Sequence, residues 1–354
     1  MRIPYNYLQD KIVRRLEEVG CSSLQAQNVT HSLMMAEACG VSSHGLRMLG
    51  DHIRKIEEDM YDIHAEVEVE CLTPSFMRVN CHNMIGMDSA TQCMQQAVDH
   101  CKDVGLFTVL ANHCNTYSAA FVYSLQAAKQ GLIGLTFSNS PAKMPPMGGK
   151  EKMLGTNPIS YAIPADKCHP IVFDMATSIV AQSKINMAKD KGEEIPLGWA
   201  LDINGKPTTN ALDACKGMIL PMAGAKGYGL SMMIDLLAGL LSGASFLNQV
   251  GRFYNPQKKA MDVGQVFVAI NPTVVYGNRF YQRIDEYINT LKSSEALNGE
   301  PITLPGEKKL SRYMDSMNNG IFLTEELLCS LAKANVLVSG GGNLKLDFSL
   351  RWAA

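Results

Sequence analysis

Hydrophobic residues recur every three to four positions near both ends of the chain, as on the buried face of an amphipathic helix. One such stripe covers residues 8–16, and Gly20 follows it where a helix would stop. A second helix is predicted over about 23–39 and a third over 48–56. The same periodicity returns after about residue 280, so both ends are predicted to be helical.

The middle of the chain shows a different pattern, with apolar and polar residues alternating in AEVEVECL at 65–72. This period of two is typical of a half-buried strand. Short apolar runs bounded by turn residues predict further strands at 75–80, 106–113, 132–140, 158–165, 169–176 and 265–271. Helical patterns between them lie at 88–105, 118–131 and 230–243.

Helical ends and a sheet-rich middle predict an α/β or α+β chain. No linker is long enough to separate independent domains. Because the two ends resemble each other, we expect 1–72 and 280–354 to form one helical domain. The sheet domain is expected at 73–279, with a helical subdomain inserted at about 206–250.

The composition excludes several classes of protein. The 354 residues are 46% hydrophobic with a net charge of −2, so no basic excess points to nucleic acid. The start MRIPYNYLQDKIV has no basic segment before an apolar one, which predicts no signal peptide. The apolar run at 230–244 is shorter than the ~20 residues that a bilayer needs and contains Asp235, so no membrane association is expected.

The ten cysteines are irregularly spaced, with no CxxC pair and no Cys/His cluster at zinc spacing. No metal site is therefore predicted. Many thiols without a disulfide framework are typical of a reducing compartment, so we expect a cytoplasmic protein whose cysteines are mostly small buried residues.

Two histidines stand where predicted elements end. Ser43-His44-Gly45 follows the second helix, and Asn112-His113 ends the strand at 106–113. Side chains leave the core at such places, and a histidine there can exchange a proton near neutral pH. Asn139 and Asn157 also lie beside strands and could donate hydrogen bonds to a carboxylate or an amide. Taken singly, each of these residues could equally be an ordinary turn or core residue.

A third polar stretch ends the strand candidate at 169–176. We predict that a helix begins there, with Asp174 or Ser178 as its cap, and the free N–H groups of a helix start attract phosphate. An ordinary cap is the alternative. The residues of this stretch are Phe173, Asp174, Met175, Ala176, Thr177 and Ser178.

A fourth stretch, PMAGAKGYGL at 221–230, places three glycines around Lys226. Glycines allow a backbone to approach a ligand closely, and Lys226 could meet a phosphate. The order G-x-x-G-x-G differs from the dinucleotide pattern G-x-G-x-x-G, and no strand closely precedes it. The pattern alone therefore does not predict a Rossmann dehydrogenase, and a flexible helix entry is the alternative.

Taken as a series, these stretches resemble the type-2 malate/L-lactate dehydrogenases, a family that includes ureidoglycolate, sulfolactate and diketogulonate oxidoreductases. The resemblance begins with SHGL, ANH and GLIGLTFSNSPAKMPPMGGKEKMLGTNPISYAIP. It continues with IVFDMATS, IPLGWALDINGKPTT, ILPMAGAKGYGLSMMIDLLAGLLSGA, VGRFY, GQVFVAINP and LPGE. It covers about residues 5–335 in the family's order, and that ordered series is more specific than any single motif.

The resemblance implies reversible hydride transfer between a nicotinamide cofactor and a 2-oxo or 2-hydroxy acid. It implies a non-Rossmann fold in which a largely antiparallel central sheet, flanked by helical N- and C-terminal segments, binds the dinucleotide. The cofactor is expected to be NAD, with NADP possible. The expected partners are a small carboxylic acid and a second copy of the chain, since the family works as dimers with active sites near the subunit boundary.

The family's functional residues carry over to specific positions. His44 and His113 are implied at the reacting centre. Which of them donates the proton stays open, and we expect His113 to be the general acid/base and His44 its partner or a substrate-orienting group. Asn157 is expected at the nicotinamide. The other residues expected to bind the cofactor are Phe173, Asp174, Met175, Ala176, Thr177, Ser178, Lys226, Gly227, Pro305, Gly306 and Glu307.

The sequence departs from the family around the substrate. Many members have an arginine four positions after the histidine of SHG, whereas this chain has Met48 there and an arginine one position earlier. One residue turns a helix by about 100°, which directs that arginine to another face. An aromatic residue further on is replaced by His52, and residues 114–117 replace the usual glycines. The residues expected to contact substrate are Ser43, Arg47, His52 and Asn139.

Two alternatives to a 2-hydroxyacid dehydrogenase stay open. Because Met48 and His52 reshape the expected pocket, the chain could reduce a cyclic imine 2-carboxylate, as relatives of the family do. A dinucleotide-binding protein without catalysis is a further alternative, which the presence of both His44 and His113 disfavours.

Overall fold

The computed structural model describes residues 1–253 and 258–337. Its first five helices begin and end close to the positions that the apolar periodicity predicts, and helices return after residue 278, whereas those at Gln182–Lys191, Ala211–Lys216 and Thr273–Tyr276 match no predicted helix. The helices are α1 (Tyr5–Glu18), α2 (Ser23–Ala38), α3 (Leu49–Glu57), α4 (Gly86–Val104), α5 (Phe121–Ala128), α6 (Gln182–Lys191), α7 (Ala211–Lys216), α8 (Ala225–Ile234), α9 (Thr273–Tyr276), α10 (Arg279–Lys292), α11 (Glu307–Asn319) and α12 (Glu325–Lys333).

Most of the strands also coincide with predicted ones, apart from several two-residue strands that no pattern indicates. The strands are β1 (Arg2–Ile3), β2 (Glu68–Thr73), β3 (Phe76–Asn80), β4 (Leu106–Cys114), β5 (Ile133–Ser138), β6 (Ile159–Ile163), β7 (Ile171–Met175), β8 (Ala200–Leu201), β9 (Pro207–Thr208), β10 (Met218–Ile219), β11 (Val263–Ile270) and β12 (Ile321–Phe322).

The central sheet has seven strands in the order β2-β3-β4-β11-β5-β6-β7. Every neighbouring pair is antiparallel except β3 and β4. Among the described residues there are two smaller sheets, β1-β12 and β10-β8-β9. The prediction of an α/β chain with a largely antiparallel central sheet between helical ends is confirmed.

Helices cover both faces of the central sheet. Phe267 of β11 packs with Tyr123 of α5, their ring centroids 6.1 Å apart, in a core that α4 completes. The next residue on the other face, Val266, packs against Ile234 and Ala238. Residues 235–240 continue α8 as a π-helical turn. Burial on both faces explains why the β11 sequence is apolar almost throughout rather than alternating.

The two termini meet in a second hydrophobic cluster. Strands β1 and β12 pair, and Leu8 and Leu33 of the N-terminal helices are buried together with Leu323. A third cluster lies within residues 144–219. The proposed domain boundaries stay predictions, and residues 338–354 of the predicted helical domain lie outside the described residues.

Strand β2 differs from its expected half-buried state. All six of its residues are exposed, including Val69 at 41% and Leu72 at 45%. The alternation correctly predicts a strand, but β2 pairs only with β3 at the sheet edge, and α4 packs against the neighbouring strands instead. Alternation reports which side chains share a face and cannot tell whether another element covers that face.

We predict that Gly264→Ala lowers the free energy of unfolding by about 3 kcal/mol or more, as for severe overpacking. A Cβ at Gly264 would collide with the backbone carbonyl of Ala238, which cannot rotate away. Urea unfolding monitored by circular dichroism measures the change.

The matched control is Gly229→Ala, because a Cβ at that helical glycine meets no other group within 4 Å. Alanine favours a helix over glycine, so the control is expected to be neutral or slightly stabilising. Equal loss of stability in both variants would contradict the close approach of β11 to residue 238.

Candidate active site

Strand β7 forms one edge of the central sheet and carries the polar stretch 173–178. Phe173 stacks on Tyr161 of β6 with ring centroids 5.1 Å apart, which holds this part of β7 rigidly. Thr177, just beyond the strand, is fully buried, and its hydroxyl donates to the Thr156 carbonyl at 3.0 Å. The edge strand therefore presents a fixed backbone to whatever lies beside it.

Two other stretches expected to bind the cofactor meet β7. On one side, the Val172 N–H donates to the Pro305 carbonyl at 3.1 Å. Gly306, with φ of +91°, lies so close that a Cβ would stand 2.7 Å from the Val172 carbonyl oxygen. On the other side, the Met222 N–H donates to the Thr177 carbonyl at 2.9 Å. Residues distant in sequence thus lie next to β7 and the residues that follow it.

The start of α8 supplies the cation of this region. Lys226 lies in the first turn of α8 and is exposed, and Gly227 packs against the Met222 backbone where a Cβ would collide with the carbonyl. The helix begins after Gly224, with no side chain capping its N–H groups. A helix start with free N–H groups and a lysine favours an anion such as a phosphate.

The predicted helix start at 174–178 is wrong. Helix α6 begins only at Gln182, and Ala181 precedes it without a side-chain cap. The Ser178 hydroxyl donates instead to the Val180 carbonyl at 2.8 Å, and Asp174 forms an ion pair. The apolar run and the polar residues after it correctly mark the end of a strand, but the turn residues satisfy their own loop.

The Asp174 carboxylate accepts from the Lys309 ammonium of α11 at 3.2 Å. The same ammonium lies 4.8 Å from the centroid of the Phe121 ring. His44 belongs to this neighbourhood, because burial lowers its pKa from the usual value while the negative charge of Asp174 raises it in part. His44 is nevertheless exposed to solvent, although protein surrounds much of its ring. The surface formed by His44, Asp174 and Lys309 is called the His44 cleft below.

A buried carboxylate shapes the loop that holds His44. Glu37, near the end of α2, accepts from the Ser42 hydroxyl at 2.7 Å and from the Leu46 N–H at 3.0 Å. Burial raises the pKa of Glu37, and these hydrogen bonds partly oppose that effect. Gly45 is needed because a Cβ there would collide with the Glu37 carboxylate. The SHG motif therefore folds around the Glu37 carboxylate, which lies outside the motif.

The His44 ring is oriented by its neighbours. Ser43 Oγ lies 2.9 Å from His44 Nδ1, and the Ser118 hydroxyl donates to the His44 carbonyl. These contacts leave Nε2 as the ring nitrogen not engaged by Ser43. Ser43, expected to contact substrate, lies beside the catalytic candidate and is exposed.

His113 lies near the end of β4 and has φ of +49°, an unusual backbone conformation for a residue with a side chain. Its Nδ1 lies 2.8 Å from Asp262 Oδ1. The other Asp262 oxygen accepts from the Ser245 hydroxyl at 2.6 Å, so the carboxylate is fixed on both sides. An open cavity of about 440 Å³ borders His113, Asp262, Asp62 and His82.

The structure does not join His44 to His113. Among the described residues, no hydrogen bond or ion pair connects them: His44 bonds to Ser43 and Ser118, whereas His113 bonds to Asp262. His113 lines the cavity of about 440 Å³, and His44 is not among the residues that line it. The expectation that both act at one reacting centre stays a prediction.

Asn139 and Asn157 differ from their expected roles as ligand contacts. The Asn139 amide donates to the Ser245 carbonyl at 2.7 Å and accepts from the Gly264 N–H at 2.9 Å. The Asn157 amide donates to the Ser231 carbonyl at 2.9 Å and accepts from a backbone N–H at 3.0 Å. Both residues are at most 1% exposed, so these asparagines form hydrogen bonds with the backbone rather than line an open site.

His52 was also expected to contact substrate, but it is fully buried. Its Nδ1 lies 2.9 Å from the Tyr61 hydroxyl, and its ring centroid is 5.1 Å from that of Phe253. Burial, with a smaller contribution from Lys55, lowers the pKa of His52 to about 3. The ring therefore stays neutral and packs inside the protein, since the sequence cannot tell an inward helical position from one that lines a pocket.

Arg47 points toward the C-terminal helix. Its guanidinium pairs with Glu326 of α12 at 2.6 Å, and both side chains are more than half exposed. This agrees with the expectation that a one-residue shift turns the arginine to another face. Exposed ion pairs contribute little to stability, so Arg47 could exchange this partner for another anion at small cost.

Sequence reasoning missed Lys309, which lies two positions after LPGE and pairs with Asp174. It also missed Lys129, just after α5, and His31 of α2, both of which look like ordinary exposed residues. Burial lowers the pKa of each, and the charge of Lys129 lowers that of His31 further. His82, in the cavity beside His113, was also missed.

The site residues fit a dinucleotide in two respects. A Cβ would collide with Val172 of β7 at Gly306 and with the Met222 backbone at Gly227, so the backbone at both positions packs closely against its neighbours. Lys226 and the open start of α8 provide positive potential beside the same strand. A phosphate-containing ligand lying along the β7 edge would meet both features.

Comparison with known proteins agrees with this geometry. Residues 3–332 match the profile of the malate/L-lactate dehydrogenase family. A malate dehydrogenase of Pyrococcus horikoshii is 33% identical over 338 residues, covering 93% of each chain. The crystal structure of sulfolactate dehydrogenase from Methanocaldococcus jannaschii superposes with a TM-score of 0.88 at 31% identity, covering 94% of this chain and 96% of the other.

A reductase is also among the similar proteins. A delta(1)-pyrroline-2-carboxylate/delta(1)-piperideine-2-carboxylate reductase of Pseudomonas putida is 29% identical, covering 94% of this chain and 96% of the relative. The fold, the converging stretches and these matches define the class as an oxidoreductase of 2-hydroxy acids. The chain belongs to the malate/L-lactate dehydrogenase family.

We predict that the His44 imidazole titrates below the usual histidine pKa of about 6.5 and that Asp174→Asn moves the midpoint further down. The Asp174 charge favours the imidazolium, so its removal leaves burial unopposed. Proton NMR of the histidine ring across pH measures the midpoint.

The matched control is Asp262→Asn, which removes the carboxylate bonded to the other histidine. It is expected to leave the His44 midpoint unchanged. An unchanged or raised His44 midpoint in Asp174→Asn would show that the two residues do not interact.

Proposed function

We propose that this protein catalyses reversible hydride transfer between a nicotinamide dinucleotide and a 2-oxo or 2-hydroxy acid. The observation that carries the proposal is the convergence of 173–178, Lys226–Gly227 and 305–307 on β7 beside the His44 cleft. When bound, the dinucleotide supplies or accepts the hydride. The residues of this chain bind the dinucleotide, orient the acid and transfer the proton.

The cofactor is expected to lie along the β7 edge. Lys226 and the first turn of α8 would hold a phosphate, and the segment 305–307 would hold another part of the dinucleotide against Val172. The relatives leave the cofactor open: a ureidoglycolate dehydrogenase of Escherichia coli is named for NAD(+), and a sulfolactate dehydrogenase of Chromohalobacter salexigens for NADP(+).

His113 is the proposed general acid/base. Reduction of a ketone develops negative charge on the carbonyl oxygen, which needs a proton as the hydride arrives. The Asp262 carboxylate accepts from His113 Nδ1 and so fixes the tautomer, leaving Nε2 to exchange the substrate proton. The same carboxylate stabilises the imidazolium form that donates.

His44 is proposed to orient the substrate. It lies near Asp174, whose ion-pair partner Lys309 supplies a positive charge to which a carboxylate could bind. Burial lowers the pKa of His44, which favours the neutral ring that can either donate or accept a hydrogen bond. Ser43 assists by holding the His44 ring.

A cyclic-imine reductase is the second candidate. The substrate side of this chain departs from the family pattern at Met48, and the Pseudomonas putida relative is named for reduction of such imines. A 2-carboxylate is common to both substrate classes, so the cationic cleft serves either. A protein that binds dinucleotide without catalysis is the third candidate, and the fixed His113–Asp262 pair argues against it.

The active assembly is proposed to be a homodimer in the cytoplasm. An apolar face on α8 and the π-helical turn that follows is exposed in the single chain, and a second copy would cover it. We expect a second copy packed on this face to bring His44 of one chain and His113 of the other toward the subunit boundary. Free thiols at all ten cysteines fit a reducing compartment. The exposed apolar residues are Met232, Met233, Leu236, Leu240 and Leu241.

We predict that the protein oxidises reduced nicotinamide dinucleotide with a 2-oxo acid such as oxaloacetate, pyruvate or sulfopyruvate. His113→Gln is expected to lower kcat by about 10²- to 10⁴-fold, the usual contribution of a general acid. Loss of reduced-nicotinamide absorbance measures turnover, with both cofactors run separately against keto acids and cyclic imines.

His100→Gln is the control, since His100 lies on α4 and lines neither of the two described cavities. Turnover of cyclic imines alone would establish the reductase instead. Dinucleotide binding without turnover on any acid or imine would leave the non-catalytic alternative standing.

We predict that the wild-type protein has twice the chain mass in light scattering and that Leu236→Glu shifts it to the monomer. A buried carboxylate in an apolar interface costs several kcal/mol unless it is paired. Leu297→Glu, at a residue 84% exposed outside the apolar face, serves as the control and is expected to stay dimeric. A monomeric wild type at micromolar concentration would refute the dimer.

A further inference from the structure

A cavity of about 210 Å³ lies at the start of β7 and is not used by the proposed reaction. The turn between β6 and β7 forms one wall, the end of α10 a second, and the segment before α11 a third. Pro305 and Glu307 line it, and both belong to a stretch that we propose to bind the dinucleotide. The cavity is thus continuous with the proposed cofactor site.

Lysine side chains outnumber carboxylates around this cavity. Lys167 and Lys292 line it together with His169, against one carboxylate, Glu307. The Lys292 ammonium forms an ion pair with Glu307, which neutralises that carboxylate. Lys167 is left without an ion-pair partner among residues 1–253 and 258–337, so the cavity favours an anion.

The backbone that carries Lys167 is held from below. The Asp285 carboxylate of α10 accepts from the Lys167 N–H at 2.8 Å and from the Cys168 N–H at 3.0 Å. Asp285 is only 9% exposed and does not line the cavity. Its carboxylate is engaged by the two backbone N–H groups of the turn, and this fixes the position from which the Lys167 side chain extends.

The separation between this cavity and the Lys226 loop is similar to the length of a dinucleotide. From Ile171, which lines the cavity, to Thr177, which contacts that loop, β7 and the residues after it span about 20 Å at ~3.3 Å per residue. An extended dinucleotide has a comparable length. A cofactor with a phosphate near Lys226 and its nicotinamide toward the reacting centre would bring its adenosine end to this cavity.

We propose that this cavity binds the 2′-phosphate on the adenosine ribose of the cofactor, so that the chain prefers NADP(H) to NAD(H). The inference rests on the proposed function, because it requires the dinucleotide to lie along β7. Glu307 could instead accept from a ribose 2′-hydroxyl, as acidic residues do in NAD sites. Its pairing with Lys292 and the unpaired Lys167 ammonium favour the phosphate.

The test is calorimetric binding of adenosine 2′,5′-bisphosphate and of adenosine 5′-diphosphate to the intact protein. We expect the 2′-phosphorylated ligand to bind about tenfold more tightly or better, the value of one charge-assisted hydrogen bond. Lys167→Ala and His169→Ala should each remove about tenfold of that preference while leaving the affinity for the 5′-diphosphate unchanged. Lys167→Arg should retain the preference.

Lys191→Ala is the matched control, because it removes one exposed cation from α6, outside the cavity. Equal affinity of the wild type for the two ligands would overturn the proposal. A preference that survives Lys167→Ala with His169→Ala would place the 2′-phosphate elsewhere and also overturn it.

Fluorescence titration with NADH and NADPH separates this failure from that of the proposed function. If both dinucleotides bind with equal affinity, only the 2′-phosphate site is refuted. If neither binds at millimolar concentration, the proposed function fails as well.

Discussion

The pairing of β11 with two strands at once is the constraint on which the rest of the structure depends. Strand β11 lies between β4 and β5 and is antiparallel to both, so it joins the two halves of the central sheet. Its N-terminal end supplies the Gly264 N–H to Asn139, and the preceding Asp262 fixes His113. A break in this pairing would disorganise the proposed acid/base and the packing of residue 238 together.

The architecture could be predicted from periodicity, because burial on one or two faces leaves a pattern along the chain. The strands around residues 110, 135, 161 and 267 and the helices at both ends appear where the apolar positions indicate. Their order in the sheet could not be read in this way. Hydrogen bonding between distant strands depends on pairing partners, and nothing local at 263–270 indicates that it separates two earlier strands.

The site could be predicted only at positions where another segment of backbone lies so close that no residue with a Cβ fits and glycine is required. Gly227 and Gly306 are such positions: a Cβ would collide with the Met222 backbone at the first and with Val172 of β7 at the second. Asparagine and histidine gave no such information, since Asn139, Asn157 and His52 satisfy internal groups with the same atoms that could bind a ligand. Lys309 lies in ordinary charged surroundings in the sequence, and only the fold pairs it with Asp174.

The position of β11 in the chain sets the order in which the protein can assemble during synthesis. Strands β4 and β5 emerge from the ribosome with α5 between them, and they run parallel in the finished sheet. Their edges face each other with a gap of one strand, which closes only when residues 263–270 follow more than a hundred positions later. Until then a nascent chain exposes two apolar edges that can pair with each other in the wrong way. Shielding by a chaperone, or slow pairing of the early strands, is the condition under which such a sheet reaches its native order.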